Sequence, residues 1–355
     1  MVRLLLLVAA IGAAVAVPRA SLRGPVDVSA RRAAVGRTLA DPPPWSVPSP
    51  IRDLNGVSYY TDAHHAVADS ALKRKNAEAF APLRAFVAHV ITLADGWTVS
   101  RPAKPAYAAQ VVEALAVWAR AGALLGAANR QGEYEREWTL AGLALGYLRV
   151  RDAPGLDRGA RADVEAWLVK LAELVRPNYE RPGRTSAANN HAAWAGLAVA
   201  AAGAAAQDRA LFDWGLSRAR IGIAQVRPDG FLPLELARQA RALHYHLFAL
   251  APLVMTAELA AANGVDLYEE GDGAIRRLAD RVIEGLADPA PFAAAAGAAQ
   301  EIKRPPRGAD LAWAEPYFAR FHDRRLVPLL AAARPLRDDR LGGDLTLAFG
   351  VPALK

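Results

Sequence analysis

Cysteine is absent from this 355-residue chain. That alone removes disulfide frameworks, Cys-ligated zinc, iron–sulfur clusters and thiol nucleophiles, so the core must stand on packing. No Gly-rich phosphate loop of Walker or Rossmann form is present. Alternating strand runs are scarce, and nothing recurs at a fixed period, which argues against a regular solenoid. Basic residues are scattered among acids rather than gathered in a tract, so no nucleic-acid partner is expected. A metal site is not expected either. His244 and His246, two apart on a helix, diverge by about 160°. His64-His65 lacks ligand-spaced carboxylates, and His89 and His322 have no recognisable context.

What is present is a folded composition, 53% hydrophobic and 22% charged, on a chain long enough for one large domain or two ordinary ones. Forty-three Lys and Arg against 36 Asp and Glu give +7 and a pI near 9.8, which favours a polyanionic partner. The first residues read as a secretory signal: Met1-Val2-Arg3 is a positive n-region, Leu4 to Ala13 an apolar h-region, and Ala14-Val15-Ala16 a small-x-small cleavage site. The apolar run ends at Val17, short of the ~20 residues that a bilayer span needs. Residues 1–16 are therefore expected to be removed, leaving a periplasmic or secreted protein with no membrane attachment. Residues 17–50, rich in Arg, Ala and Pro, read as a loosely ordered lead-in to one domain over 51–355.

Beyond that point nearly everything reads helical, with apolar residues three and four apart between Pro and Gly punctuation. Helices are predicted near 70–94, 103–126, 133–150, 158–176, 187–206, 208–225, 234–263, 274–286 and 309–333. Most carry charge on one side: Asp163, Glu165, Lys170 and Glu173 punctuate Val164, Leu168 and Leu171. Ala192 to Ala206 differs, since Trp194, Leu197 and Val199 sit among Ala and Gly with no charge at all, and such a helix must be enclosed by others. Layered helices around an enclosed set predict an all-α protein, a single α/α toroid of incomplete (α/α)6 type with a deep cleft.

Two polar clusters stand out. Asn189-Asn190-His191 directly precedes the charge-free helix, where unpaired N–H groups and the helix dipole make a natural seat for a carboxylate. An Asn cap beside a hydrogen-bonded histidine would leave the same pattern. The second cluster follows the Asp229-Gly230 turn: Pro233 opens a helix on which Arg238, Arg241 and Tyr245 share one face. A tyrosine, ordinarily near pKa ~10, needs positive charge beside it to act as a base, and cations lower its pKa. A solvated arginine stripe beside a half-buried tyrosine is the plainer alternative. Carboxylates are numerous, and counting leaves a glycosidase-type pair open.

Asn189-Asn190-His191-Ala192-Ala193-Trp194, then Leu211-Phe212-Asp213-Trp214, then Gln225-Val226 with Asp229-Gly230-Phe231-Leu232-Pro233, and Glu235-Leu236 with Arg238, Arg241-Ala242-Leu243 and Tyr245-His246 form an ordered series. It continues through Ala262-Asn263-Gly264-Val265-Asp266-Leu267, Trp313 with Glu315-Pro316-Tyr317, and Arg340-Leu341-Gly342-Gly343. This series resembles the mannuronate-specific alginate lyases of polysaccharide lyase family 5 over about residues 55–350. One departure is local: the family commonly shows Ser-Tyr where Ala192-Ala193 stand, so a contact made by that tyrosine is missing.

The resemblance implies β-elimination on a β-1,4-linked polyuronate such as alginate, without metal or organic cofactor. Asn190, His191 and Arg238 would neutralise the sugar carboxylate, the helix N-terminus assisting. Tyr245 would move the proton, either as base and then acid or as acid beside His191 as base. Substrate contacts are implied for Tyr59, Tyr60 and His64 in a lid at roughly 55–65, for Gln131 and Trp138 in the cleft, and for Trp194 and Arg241. A monomer is expected. A lyase for another uronate polymer and a non-catalytic periplasmic polysaccharide-binding protein are the competing readings.

Overall fold

The computed structural model describes residues 20–181, 183, 185–302, 306 and 308–351. The expected signal peptide lies outside these residues. Helices α1 (Val28–Val35), α2 (Ser70–Val99), α3 (Pro105–Arg120), α4 (Arg130–Val150), α5 (Arg158–Val175) and α6 (Pro177–Glu180) form the first half. The second half holds α7 (Asn190–Ala206), α8 (Arg209–Gln225), α9 (Pro233–Leu236), α10 (Ala242–Ala261), α11 (Glu270–Ala287) and α12 (Ala290–Ala296). Short helices α13 (Gly308–Leu311), α14 (Ala314–Phe321) and α15 (Val327–Ala333), a hairpin of β1 (Arg337–Asp338) and β2 (Gly343–Asp344), and α16 (Leu345–Phe349) complete it. The molecule is an α/α toroid, as the layering of the sequence predicts.

Helix starts are written in acidic and amide caps. Asp69 accepts from Leu72 N–H, Asn129 from Gly132, Asp157 from Ala160 and Asp208 from Leu211, each satisfying a donor the helix leaves unpaired. The charge-free α7 is enclosed as expected, packed against α4, α5, α8 and α10. Its approach to α8 depends on missing side chains: a Cβ on Gly215 would lie 2.5 Å from the Gly196 carbonyl oxygen. In α5, Val164, Leu168 and Leu171 are fully buried.

Three expectations are corrected. The 234–263 helix is broken: α9 ends at Leu236, Gln239 adopts left-handed angles (φ 49°), and α10 begins at Ala242. The break is held by residues distant in sequence, for Gln300 accepts from Leu243 N–H and Glu301 N–H donates to the Ala240 carbonyl. The 309–333 helix is also divided, because left-handed His322 (φ 52°) ends α14 and Asp323 caps the turn that follows. The lead-in is docked rather than loose over residues 20–50. Leu22 is buried and its carbonyl accepts from Arg151 and Gln207, Arg32 donates to the Trp97 carbonyl, and Trp118 donates to that of Pro48. Gln239–Ala261 has the length and hydropathy to cross a membrane, yet 89% of its apolar window is buried within the protein.

Candidate active site

A cavity of about 1000 Å³ opens between three walls. One is the 58–65 loop with Tyr59, Tyr60, His64 and His65; the second is the start of α4 with Arg130, Gln131, Tyr134, Glu135 and Trp138. The third combines Asn189 and His191 with Arg238, Arg241, His244, Tyr245 and Phe248.

On the α4 wall, Tyr134, Glu137 and Trp138 lie three and four apart and so share a face. The His191 ring stacks on Tyr134, centroids 3.8 Å apart and planes within 15°. Its Nδ1 stands 3.3 Å from Oε1 of Glu137, a buried carboxylate whose Oε2 accepts from the Tyr179 hydroxyl. Because a carboxylate only accepts, Nδ1 carries the proton and the lone pair of the neutral ring falls on Nε2. Orientation and tautomer of His191 are thus set from α4.

On the facing wall the Arg238 guanidinium lies 3.6 Å from the Tyr245 ring centroid, and that of Arg241 lies 5.6 Å away. The break after α9 still brings these three residues together. The Tyr60 hydroxyl reaches across and hydrogen-bonds the Tyr245 hydroxyl. The Arg238 Nε is buried with no hydrogen-bond partner, and among the described residues no carboxylate lies within ion-pair distance of Arg238 or Arg241. The expected lowering of the Tyr245 pKa is corrected. Burial pushes the phenol well above its ordinary value and Tyr60 adds to this, while Arg238 and Arg241 pull down without prevailing. Tyr59 is pushed to about 12, again chiefly by burial.

The carboxylate seat at the start of α7 exists, but its occupant is internal. Glu235 Oε1 accepts from the Asn190 backbone N–H (2.8 Å), and both its oxygens accept from Asn190 Nδ2 (3.1 and 3.0 Å). Asn190, 2% exposed, therefore lies behind the cleft surface rather than on it. Trp194 is corrected as a substrate contact: it is fully buried, its Nε1 donating to the Phe248 carbonyl, because α7 is enclosed on every side. Ala192 and Ala193 are buried too. The other expected residues, Tyr59, Tyr60, His64, Gln131, Trp138, His191, Arg238, Arg241 and Tyr245, line one cavity.

Sequence reasoning missed Tyr134, Glu137 and Glu235. The spacing of Tyr134, Glu137 and Trp138 was a readable signal, hidden because Glu-Tyr-Glu-Arg-Glu-Trp looks like a solvated helix start. It also missed that further cleft cations are matched. Arg84 forms two bonds to Glu135 (2.6 and 2.7 Å), Arg340 two to Asp338 (2.9 and 2.6 Å), and Arg337 bridges Asp339 and Asp95 (2.8 Å each). His246 turns away from His244 into the core, accepting from Leu232 N–H and donating to the Ala242 carbonyl; burial lowers its pKa to about 4. Among the described residues no group of three or more His, Asp or Glu could hold a metal ion.

A helical toroid whose open cleft sets unmatched arginines beside phenols and an oriented imidazole is suited to an anionic chain, and the relatives of this chain make it a polysaccharide lyase. Residues 40–292 match the family model described as alginate lyase. The chain is 42% identical over 299 residues to a polysaccharide lyase of Stenotrophomonas maltophilia, covering 83% of this chain and 87% of that protein. It is 35% identical over 320 residues to an alginate lyase of Pseudomonas putida, covering 88% and 84%. A solved structure of a histidine-to-alanine variant of alginate lyase A1-III complexed with tetrasaccharide matches it with a TM-score of 0.82 at 28% identity, over 94% of this chain and 98% of that one. The chain belongs to the alginate lyase family, polysaccharide lyase family 5.

Proposed function

We propose that the protein cleaves the β-1,4 linkages of polymannuronate in alginate by β-elimination, leaving a C4–C5 unsaturated uronate at the new non-reducing end. The observation that carries this reading is the Arg238 guanidinium lying on the Tyr245 ring, with a buried donor unspent, in the same cleft as the oriented His191. The C5–H of a uronate is a poor acid while its carboxylate is charged, since the carbanion would place two negative charges on one enolate. A cation at the carboxylate relieves that charge as it develops. Arg238 supplies it without first giving up an internal partner, and Arg241 adds to the field.

Tyr245 delivers its proton to the departing O4. A phenol held neutral by burial is suited to that acid role. The same geometry favours His191 Nε2 as the group that takes the C5 proton, Glu137 stabilising the imidazolium that forms. In mannuronate H5 and O4 lie on one face of the ring, so a single phenol serving as base and acid is the alternative route. Each residue here binds, neutralises or moves a proton, and no other group is needed.

Incubation with polymannuronate should raise the ultraviolet absorbance of the unsaturated product. A non-catalytic binder would bind with no rise, and a glycosidase would release reducing ends without the chromophore. Polymers of other uronates in parallel assign the sugar. Tyr245→Phe should lower kcat by about 10³-fold while sparing polymer binding. If His191 is the base, His191→Gln should cost as much; a base role for Tyr245 leaves it substantial turnover. We also infer export to the periplasm from the signal pattern at residues 1–16, which predicts a mature N-terminus at Val17 by mass spectrometry of the exported protein.

A further inference from the structure

The Glu235 carboxylate is 1% exposed and sits at the first turn of α7, one layer behind His191 and Arg238. The polar groups that face it are Asn190 from α7, through backbone N–H and Nδ2, and Arg238 from the turn after α9. On the same Asn190 side chain Oδ1 is buried with no hydrogen-bond partner. A carboxylate and an amide are thus arranged so that the amide spends both donors inward and leaves its acceptor orphaned, an arrangement that costs free energy.

We propose that Glu235 is the positioning residue of the carboxylate pocket: it holds Asn190 inward and takes up a proton from water when a uronate enters. The inference rests on the function proposed above. A sugar carboxylate drawn to Arg238 brings a second negative charge near the buried Glu235, and a like charge nearby favours the protonated form of a buried acid. Burial already raises the pKa of Glu235, with Asn190 and then Arg238 opposing, so Glu235 rather than the solvated sugar takes the proton. Its new O–H then donates to Asn190 Oδ1 as the amide turns over within the wall behind the cleft. The orphaned acceptor gains its partner in the same step.

The test is a titration with mannuronate tetramer in buffers of different ionisation enthalpy, with Tyr245→Phe throughout to hold the complex uncleaved. Proton uptake should approach one per site at some pH within the range in which the protein stays folded, and adding Glu235→Gln, which mimics the protonated acid, should abolish it. In the otherwise native enzyme, Glu235→Gln should keep the turnover that Glu235→Ala loses by about 100-fold or more, and its KM should lose its dependence on pH. Circular dichroism and melting establish that each variant is folded, and a Glu235→Ala that does not fold leaves the titration and the glutamine variant to decide. Zero uptake across the range, uptake that survives Glu235→Gln, or a folded Glu235→Gln as inactive as Tyr245→Phe would each overturn the inference. A native enzyme that cleaves polymannuronate while any of these results holds retains its proposed function; one that neither binds nor cleaves it loses both.

Discussion

The cleft holds two kinds of arginine, and their difference separates function from support. Arg84, Arg337 and Arg340 are each bonded to a carboxylate, and Arg149 behind them pairs with Asp95 with both side chains nearly buried. Arg238 and Arg241 instead lie against the rings of Tyr60 and Tyr245. A guanidinium on a carboxylate has its charge answered and its fork of donors used. On an aromatic face it is held in place with its donors still available, a state ready for an incoming anion. The matched set builds the groove, and the unmatched set is left with donors for the anionic polymer proposed above.

That contrast can be broken most sharply at Arg238. Its replacement by Ala should lower kcat by about 10²- to 10³-fold, with an unchanged melting temperature, because it removes charge from the enolate rather than from the fold. A defect confined to KM would place Arg238 with simple binding. The matched side should respond in the opposite currency: Asp95→Ala strands Arg149 and frees one branch of Arg337, so stability should fall by about 3 kcal/mol or more in denaturant titration. Turnover well below the transition should drop less than about tenfold.

His246 sharpens the comparison on the buried side. Its folded pKa of about 4 lies below the unfolded value, so the unfolded chain binds the proton more readily and stability is lost as pH falls from about 6.5 toward 4. The loss should reach about 3 kcal/mol, and a folded His246→Asn should flatten that limb of the stability profile. The smallest effect concerns salt. KM for the polymer should rise severalfold between about 0.05 and 0.5 M NaCl as screening shortens the reach of the cleft cations. Arg241→Ala should reduce this slope more than Arg337→Ala, whose charge is already answered.

Much of this was legible in the chain. The charge-free run after His191 demanded enclosure, and it is the helix around which four others pack. The spacing of Arg238, Arg241 and Tyr245 foretold their meeting, although by way of a broken helix rather than a straight one. The site residues that escaped are those whose role is to hold another residue. Glu137 orients His191 from 54 positions away and Glu235 binds Asn190 from 45 away, and no local pattern records a partner at that distance. Trp194 was misplaced for a related reason: an aromatic within a motif can serve the cleft or the core, and only the packing of Phe248 against it decides.

The chain by itself determined the helical class, the cap residues and the apolar stripes, because these depend on neighbours within a turn or two of one another, and the family was legible in the order of its motifs along the chain. Tertiary structure decided which arginines are answered by carboxylates, that burial outweighs cations at Tyr245, and that the carboxylate seat of α7 is already filled by Glu235. Charge, solvation and hydrogen-bond satisfaction depend on what stands across a few ångströms of space, and residues far apart in sequence fill that space only once the chain has closed on itself.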